Sequence, residues 1–235
     1  MTQVNAFVEA AKKAFRQISL SEIAIAQDLR TVKADGGSVM LDVFKAEKFA
    51  KIVFCTISID DTGVVESTAM AWPDDEHDFP ILWCNFTIVP EVMNVPVFDF
   101  IPMMDIIAWP DYATRYVEGL NDLKADALDM LGETVLQKAV DLPSRTVFAL
   151  SPYKLIPMIS AEGIELVPRV TVHYIEAYLK LVHSAEPIPD SAAREYYLRR
   201  KQQLRTLMKA NDPGYPFMVD VFGEDMTQRV FDQVF

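Results

Sequence analysis

The sequence predicts an α+β fold in which a central antiparallel sheet carries helices on both faces, a single α/β/α sandwich over residues 1–235. Three observations predict it. Apolar, aromatic and β-branched runs of strand length crowd between residues 23 and 108. The gaps between them are short and rich in turn residues: Asp35-Gly36-Gly37, Lys45-Ala46-Glu47, Asp60-Asp61-Thr62-Gly63 and Pro73 to Asp78. None could hold a crossover helix, so neighbours must run antiparallel. Helical periodicity occupies the chain before and after this block, which leaves helices to cover the sheet. No Pro/Gly/Ser-rich linker or charge block divides the chain.

Taken in order, residues 3 to 18 place Val4, Phe7, Val8, Ala11, Phe15 and Ile18 at spacings of three and four, an amphipathic helix. Strands are expected at Ile23 to Val32, Ser38 to Phe44, Phe49 to Ile59, Val64 to Trp72, Ile81 to Val89 and Val95 to Ala108, a meander of five or six. The core should include Phe54, Trp83, Phe86, Ile88 and Phe98. After Trp109-Pro110, Asp111 can cap a helix bearing Tyr112, Tyr116, Leu120, Leu123, Leu128 and Leu131, which Gly119 or Gly132 interrupts. Helices follow at 171 to 183 and 191 to 210, the latter stopped by Asn211-Asp212-Pro213-Gly214. A final helical pair, Phe217 to Phe222 and Met226 to Phe235, is joined at Gly223.

Composition removes several functions. Half of the residues are hydrophobic, enough for a sizeable core, and the net charge of −12 argues against nucleic acid. The N-terminal residues lack a secretory signal, and no apolar run reaches eighteen residues, so a cytoplasmic protein with no membrane contact is expected. Cys55 and Cys84 lie in strand-like runs and read as buried free thiols. His77, His173 and His183 stand apart, so no metal site is expected; GxGxxG, GxxxxGK and GxSxG motifs are absent. Two basic clusters stand out against the acidic background: Lys12, Lys13 and Arg16, and a helical set of Arg194, Arg199, Arg200, Lys201, Arg205 and Lys209.

Chemistry is expected where polar residues interrupt apolar strands. Asn85, Asp99 and Asp105 do so, and a carboxylate in such surroundings costs several kcal/mol, roughly, unless paired, hydrogen-bonded or protonated. With period two, Asp99 and Asp105 share a face unless Pro102 introduces a bulge.

With those elements in place the chain resembles the ferredoxin-dependent bilin reductases, whose fold is shared by red chlorophyll catabolite reductase. Leu82-Trp83-Cys84-Asn85-Phe86-Thr87-Ile88-Val89-Pro90 is similar to the family strand that ends in proline and carries an active-site His or Asn, at Asn85 here. Val95-Pro96-Val97-Phe98 resembles the run leading to the strand of the central aspartate. Tyr196-Tyr197, Gln202-Gln203, Asn211-Asp212, Phe222-Gly223 and Phe231-Asp232 resemble the closing pattern, in which Asp212 matches a functional aspartate. The family's Gly-x-Asp is Asp99-Phe100-Ile101 here, so either Asp99 or Asp105 takes the central role. Met70-Ala71-Trp72 stands where some members have a strand-borne glutamate.

The resemblance implies an oxidoreductase of the phycobilin-biosynthesis type. It would be a monomer with no permanently bound cofactor, passing single electrons from reduced ferredoxin to an open-chain tetrapyrrole such as biliverdin. Asp99, Asp105 and Asp212 would supply protons and Asn85 would orient the substrate. Arg115, Arg145 and Arg169 are the candidates for binding its propionates. The basic helix 194 to 209 would face acidic ferredoxin. The rival is a tetrapyrrole carrier of the same fold that turns nothing over; a two-carboxylate hydrolase lacks a supporting aromatic pattern.

Overall fold

The computed structural model describes residues 3–141, 144–188 and 190–235. Its centre is an antiparallel meander of five long strands that follow one another in sequence: β3 (Gly37–Ala46), β4 (Phe49–Ile59), β5 (Val64–Pro73), β6 (Ile81–Val89) and β7 (Met93–Ile101). Short pieces extend both edges. On one side, β1 (Ser21–Glu22) and β2 (Thr31–Ala34) both pair with β3; on the other, β9 (Met158–Ile159) pairs with β7 and β8 (Val135–Gln137) with β9. Between β1 and β2 lies one helical turn, α2 (Gln27–Arg30).

The register sorts residues between two faces. Phe54, Ala69, Cys84 and Phe98 stand opposite one another across four strands, and one residue along Cys55, Thr68, Asn85 and Val97 do the same. Successive side chains on a strand point to opposite faces, so these two rows belong to opposite layers. The first layer is covered by α1 (Gln3–Phe15) and α5 (Val167–His183). Phe7 packs near Phe86, Phe15 near Phe54, and Tyr174 and Tyr178 against Phe98 and Phe100. The Val4 side chain lies outside the described residues. The second layer is covered by α8 (Glu224–Val234), which α6 (Ser191–Asn211) and α7 (Tyr215–Phe222) lead into.

The expected architecture is the observed one, with local corrections. Strand β7 stops at Ile101, because Pro102 cannot donate to the ladder; beyond it Asp105 accepts hydrogen bonds from the Ile107 and Ala108 amides at 2.8 and 2.9 Å and closes a turn. The run from Ile23 to Val32 breaks into α2 and β2. The helix after Trp109 splits into α3 (Pro110–Tyr116) and α4 (Leu120–Leu131), and Asp111 sits inside the first turn while Trp109 is the cap. Helix α5 begins earlier than expected, where Pro168 occupies its first turn. Phe54, Phe86 and Phe98 are buried; Trp83 and Ile88 are half-buried. No helix among the described residues is long and apolar enough to cross a membrane.

Candidate functional site

The second layer of the sheet carries a contiguous polar group where an apolar surface would be cheapest. Glu66 and Thr68 project from β5, Asn85 and Thr87 from β6, and the pairings Thr68–Asn85 and Glu66–Thr87 place all four on one face. Asn85 ties them together. Its Nδ2 donates to Glu66 Oε1 at 2.7 Å and to Thr68 Oγ1 at 2.9 Å, while its Oδ1 accepts from Thr87 Oγ1 at 3.1 Å. The amide is thereby held in one orientation beside a half-buried carboxyl.

A second carboxyl arrives from the helical layer. Helix α6 ends at Asn211, since Pro213 cannot continue it, and Asp212 Oδ1 accepts the Gly214 amide at 2.8 Å. Gly214 marks how closely the two acids converge: a Cβ there would stand 3.1 Å from Asp212 Oδ1 and 3.6 Å from Glu66 Oε2. Burial, reinforced by the negative charge of Asp212, pushes the Glu66 carboxyl up to about 7 against the opposing Asn85 hydrogen bond. Burial likewise raises Asp212 to about 6, offset in part by the Gly214 amide. Two carboxyls that resist joint ionisation hold a transferable proton near neutral pH.

These acids line a cavity of about 30 Å³ together with Cys55, Ile57, Thr68 and Trp83 from the sheet. Val230, Phe231, Val234 and Phe235 close its other side. Burial raises the Cys55 thiol far above its ordinary value, so it stays protonated and is no nucleophile. A larger surface hollow, about 480 Å³, lies between α4 and α5 and is lined by Asp126, Asp129, Arg169, His173 and Glu176. It holds none of the strand-borne polar group. Among the described residues no cluster of His, Cys, Asp and Glu is arranged to hold a metal.

The expected site residues are thus divided. Asn85 and Asp212 come together. Asp99 lies on the same sheet face, opposite Trp83, but both its oxygens are engaged: Oδ2 accepts the Ser151 amide at 2.8 Å and Oδ1 the Ser151 hydroxyl. Burial pushes it up to about 6 despite those bonds, yet it does not line the cavity. Asp105 lies off the strand on which it was expected: it is exposed, it caps a turn outside the sheet, and its two amide bonds hold its carboxyl below the usual range.

Of the arginines, Arg145 is exposed on a short 3-10 helix (Arg145–Ala149) whose neighbour Ser144 donates to the Asn211 carbonyl, beside Asp212. Arg115 lies over the Tyr116 ring on α3, and Arg169 belongs to the distant hollow. The basic face of α6 is largely committed: Arg194 donates to the Asp75 carbonyl, Arg200 to the Pro102 carbonyl, Lys201 pairs with Asp75, and Lys209 with Asp232.

Glu66 is the residue that sequence reading missed. The resemblance points to a glutamate about a dozen positions before Asn85, but the Pro73 to Pro80 connection lengthens the hairpin, so that Thr68, seventeen positions back, faces Asn85 and Glu66 lies nineteen back. The available signal was a lone acid in Val64-Val65-Glu66-Ser67-Thr68, at the parity of Thr68.

Residues 8–235 match the family model described as ferredoxin-dependent bilin reductase. Among solved structures, the chain is similar to a crystal structure of phytochromobilin synthase from tomato in complex with biliverdin, with a TM-score of 0.79 and 21% sequence identity over 95% of this chain and 78% of that one. At that identity the likeness is one of fold. No curated protein matches significantly.

Proposed function

Since this chain belongs to the ferredoxin-dependent bilin reductase family, and is therefore an oxidoreductase acting on bilins, we propose that Glu66 and Asp212 are its proton donors and that Asn85 orients both the acid and the substrate. The observation that carries this is the convergence of two raised-pKa carboxyls on Gly214, beside an amide locked by Glu66, Thr68 and Thr87. Reducing one double bond of an open-chain tetrapyrrole takes two electrons, delivered singly by ferredoxin, and two protons. An acid of pKa about 6 to 7 can lose a proton to the radical formed by each electron and regain it from water. The amide of Asn85 cannot itself supply protons. Its role is to hold the acid, and it can present a donor to a pyrrole-ring carbonyl only by giving up the Nδ2 hydrogen now donated to Thr68.

Asp99 takes a supporting place in this reading. Its bonds to Ser151 anchor the segment after the 3-10 helix against β7, which walls the polar face beyond Trp83. A single reductase unit over residues 1–235 is part of this reading, supported by one hydrophobic core cluster that draws residues from Phe7 to Phe235.

The test is anaerobic turnover of biliverdin with reduced ferredoxin. Glu66→Gln and Asp212→Asn keep shape and remove the transferable proton, and each should lose about 10²–10⁴-fold in rate while still binding the bilin. Wild-type rates in both variants would remove them as donors. A wild-type protein that binds biliverdin and never reduces it would be a carrier.

A further inference from the structure

Drug-sized and cofactor-sized ligands occupy pockets of about 300–1,000 Å³, whereas the cavity over Glu66 and Asp212 measures about 30 Å³, room for a water or two. The side of the cavity facing the sheet is closed by Val230, Phe231 and Val234 of α8 and by the adjoining Phe235. Helix α8 is joined to α7 through Gly223 at φ +80°, a left-handed conformation that favours glycine. It is tied to the sheet at two points. Lys51 Nζ, from β4, donates to the Gln233 carbonyl at 2.7 Å, and Trp72 Nε1 donates to the Val234 carbonyl at 3.2 Å.

Lys51 is an unusual latch. Alternation puts it on the same face as Cys55, about 13 Å along the strand at 3.3 Å per residue, and its ammonium also lies 5.7 Å from the centre of the Trp72 ring. The groups around it are mainly cationic: Arg205, Lys209 and Lys201 from α6 face it, against Asp232 from α8. Lys201 and Lys209 already have acidic partners in Asp75 and Asp232. Burial first, and these cations second, push Lys51 down to about 7. If α8 swings out, the Gln233 carbonyl and Asp232 leave together. The Lys51 ammonium then loses its hydrogen-bond acceptor and the nearby Asp232 carboxylate while Arg205, Lys209 and Lys201 stay around it, a local excess of positive charge that an entering anion relieves. An open-chain tetrapyrrole is a long apolar chromophore with carboxylates on its propionate arms, the kind of anion that can reach this point while the rings rest over the acids.

We propose that α8 is a lid over the acid pair latched by Lys51, and that a propionate carboxylate of the incoming bilin replaces the Gln233 carbonyl on the Lys51 ammonium and holds the lid open. The proposal rests on the bilin-reductase reading above. It makes Lys51, rather than Arg115, Arg145 or Arg169, the residue that selects a free carboxylate.

The experiment is an absorbance titration of the full chain with biliverdin and with biliverdin dimethyl ester, whose arms carry no charge. Wild type should bind the diacid about tenfold more tightly than the ester. Lys51→Met should erase that preference: it releases the latch, so the ester binds at least as tightly as to wild type, while the diacid loses its advantage over it. Lys51→Arg, which keeps charge and reach, should retain most of the preference. Lys51→Gln, which preserves a donor for the Gln233 carbonyl, gives the same answer as Lys51→Met if the apolar variant fails to fold. Full wild-type preference in Lys51→Met or Lys51→Gln, or equal binding of diacid and ester by wild type, overturns the assignment. Failure of wild type to bind either compound instead overturns the bilin reading itself.

Discussion

The two faces of the sheet are made from the same strands and differ in almost everything else. Toward α1 and α5 the rows are aromatic and aliphatic: Phe98 stacks on Tyr174 at 4.8 Å between centroids, Phe100 meets Tyr178 edge-on at 5.2 Å, and Phe15 meets Phe54 at 5.9 Å. The buried hydroxyl pair on that side, Thr56 and Ser67, satisfies itself across 3.0 Å. Toward α8 the same strands carry Glu66, Asn85, Asp99 and Lys51, groups whose burial shifts three of them well away from their ordinary pKa. One face is arranged to keep the sheet together. The other holds protons and charges that cost stability, which is the expected trade where a site needs acids near neutrality.

The largest effect is expected on the apolar face. Phe98 is fully buried between strands β6 and β7 and the α5 tyrosines. Phe98→Ala should cost about 3–5 kcal/mol, from lost transfer energy plus an unfilled cavity, measured by urea unfolding. The equivalent change at Trp83, half-buried on the other face, should cost less. Equal losses would mean that both faces contribute alike and that the division drawn above is wrong.

The next effect has the opposite sign. A carboxyl raised on folding favours the native state fully only below its unfolded pKa, and that contribution is lost as pH rises to the folded value. For Glu66 the window runs from 4.5 to about 7. Glu66→Gln should therefore match wild type near pH 4 and be more stable at pH 8, on the order of 2 kcal/mol after allowing for partial exposure. It also relieves Asp212, whose own window runs from 3.8 to about 6. Thermal melts at the two pH values decide it: a variant less stable than wild type at pH 8 would show that Glu66 is a structural acid.

How much of this was legible in the sequence follows from the reach of each signal. The five-strand meander was readable because strand patterning and turn chemistry are local, and the short motifs around Asn85 and Asp212 singled out two residues that the fold brings to one place. Glu66 and Lys51 were not readable. Each is a single charged residue inside an apolar strand, Val65-Glu66-Ser67 and Ala50-Lys51-Ile52, and its meaning depends on what lies across the sheet or beneath α8. Register decides the first and helix docking the second, and neither is a local property. The position of Asp105 was not legible for the converse reason. Its surroundings, Met103-Met104-Asp105-Ile106-Ile107, read as a strand continuing, while Pro102 had already ended it.

The smallest expected effect tests that last point. Asp105 is exposed and its carboxyl accepts the Ile107 and Ala108 amides, which lowers its pKa; its contribution to stability is therefore present above the unfolded value of 3.8 and is lost as pH falls below it. Asp105→Ala removes a capping acceptor at the surface, where such losses run to about 0.5–1 kcal/mol, and the difference from wild type should shrink at pH 3. Asn can still accept through its side-chain carbonyl, so Asp105→Asn should recover part of the loss. Turnover of biliverdin should be unchanged in both variants, because neither the polar face nor the cavity contains this residue. The informative control is Asp212→Asn in the same assay, since it too alters a carboxyl that accepts a backbone amide near a helix end. A tenfold or larger drop in turnover for Asp105→Asn at intact bilin affinity would place a proton donor outside the observed cavity, and the acid pair would then have to be reassigned.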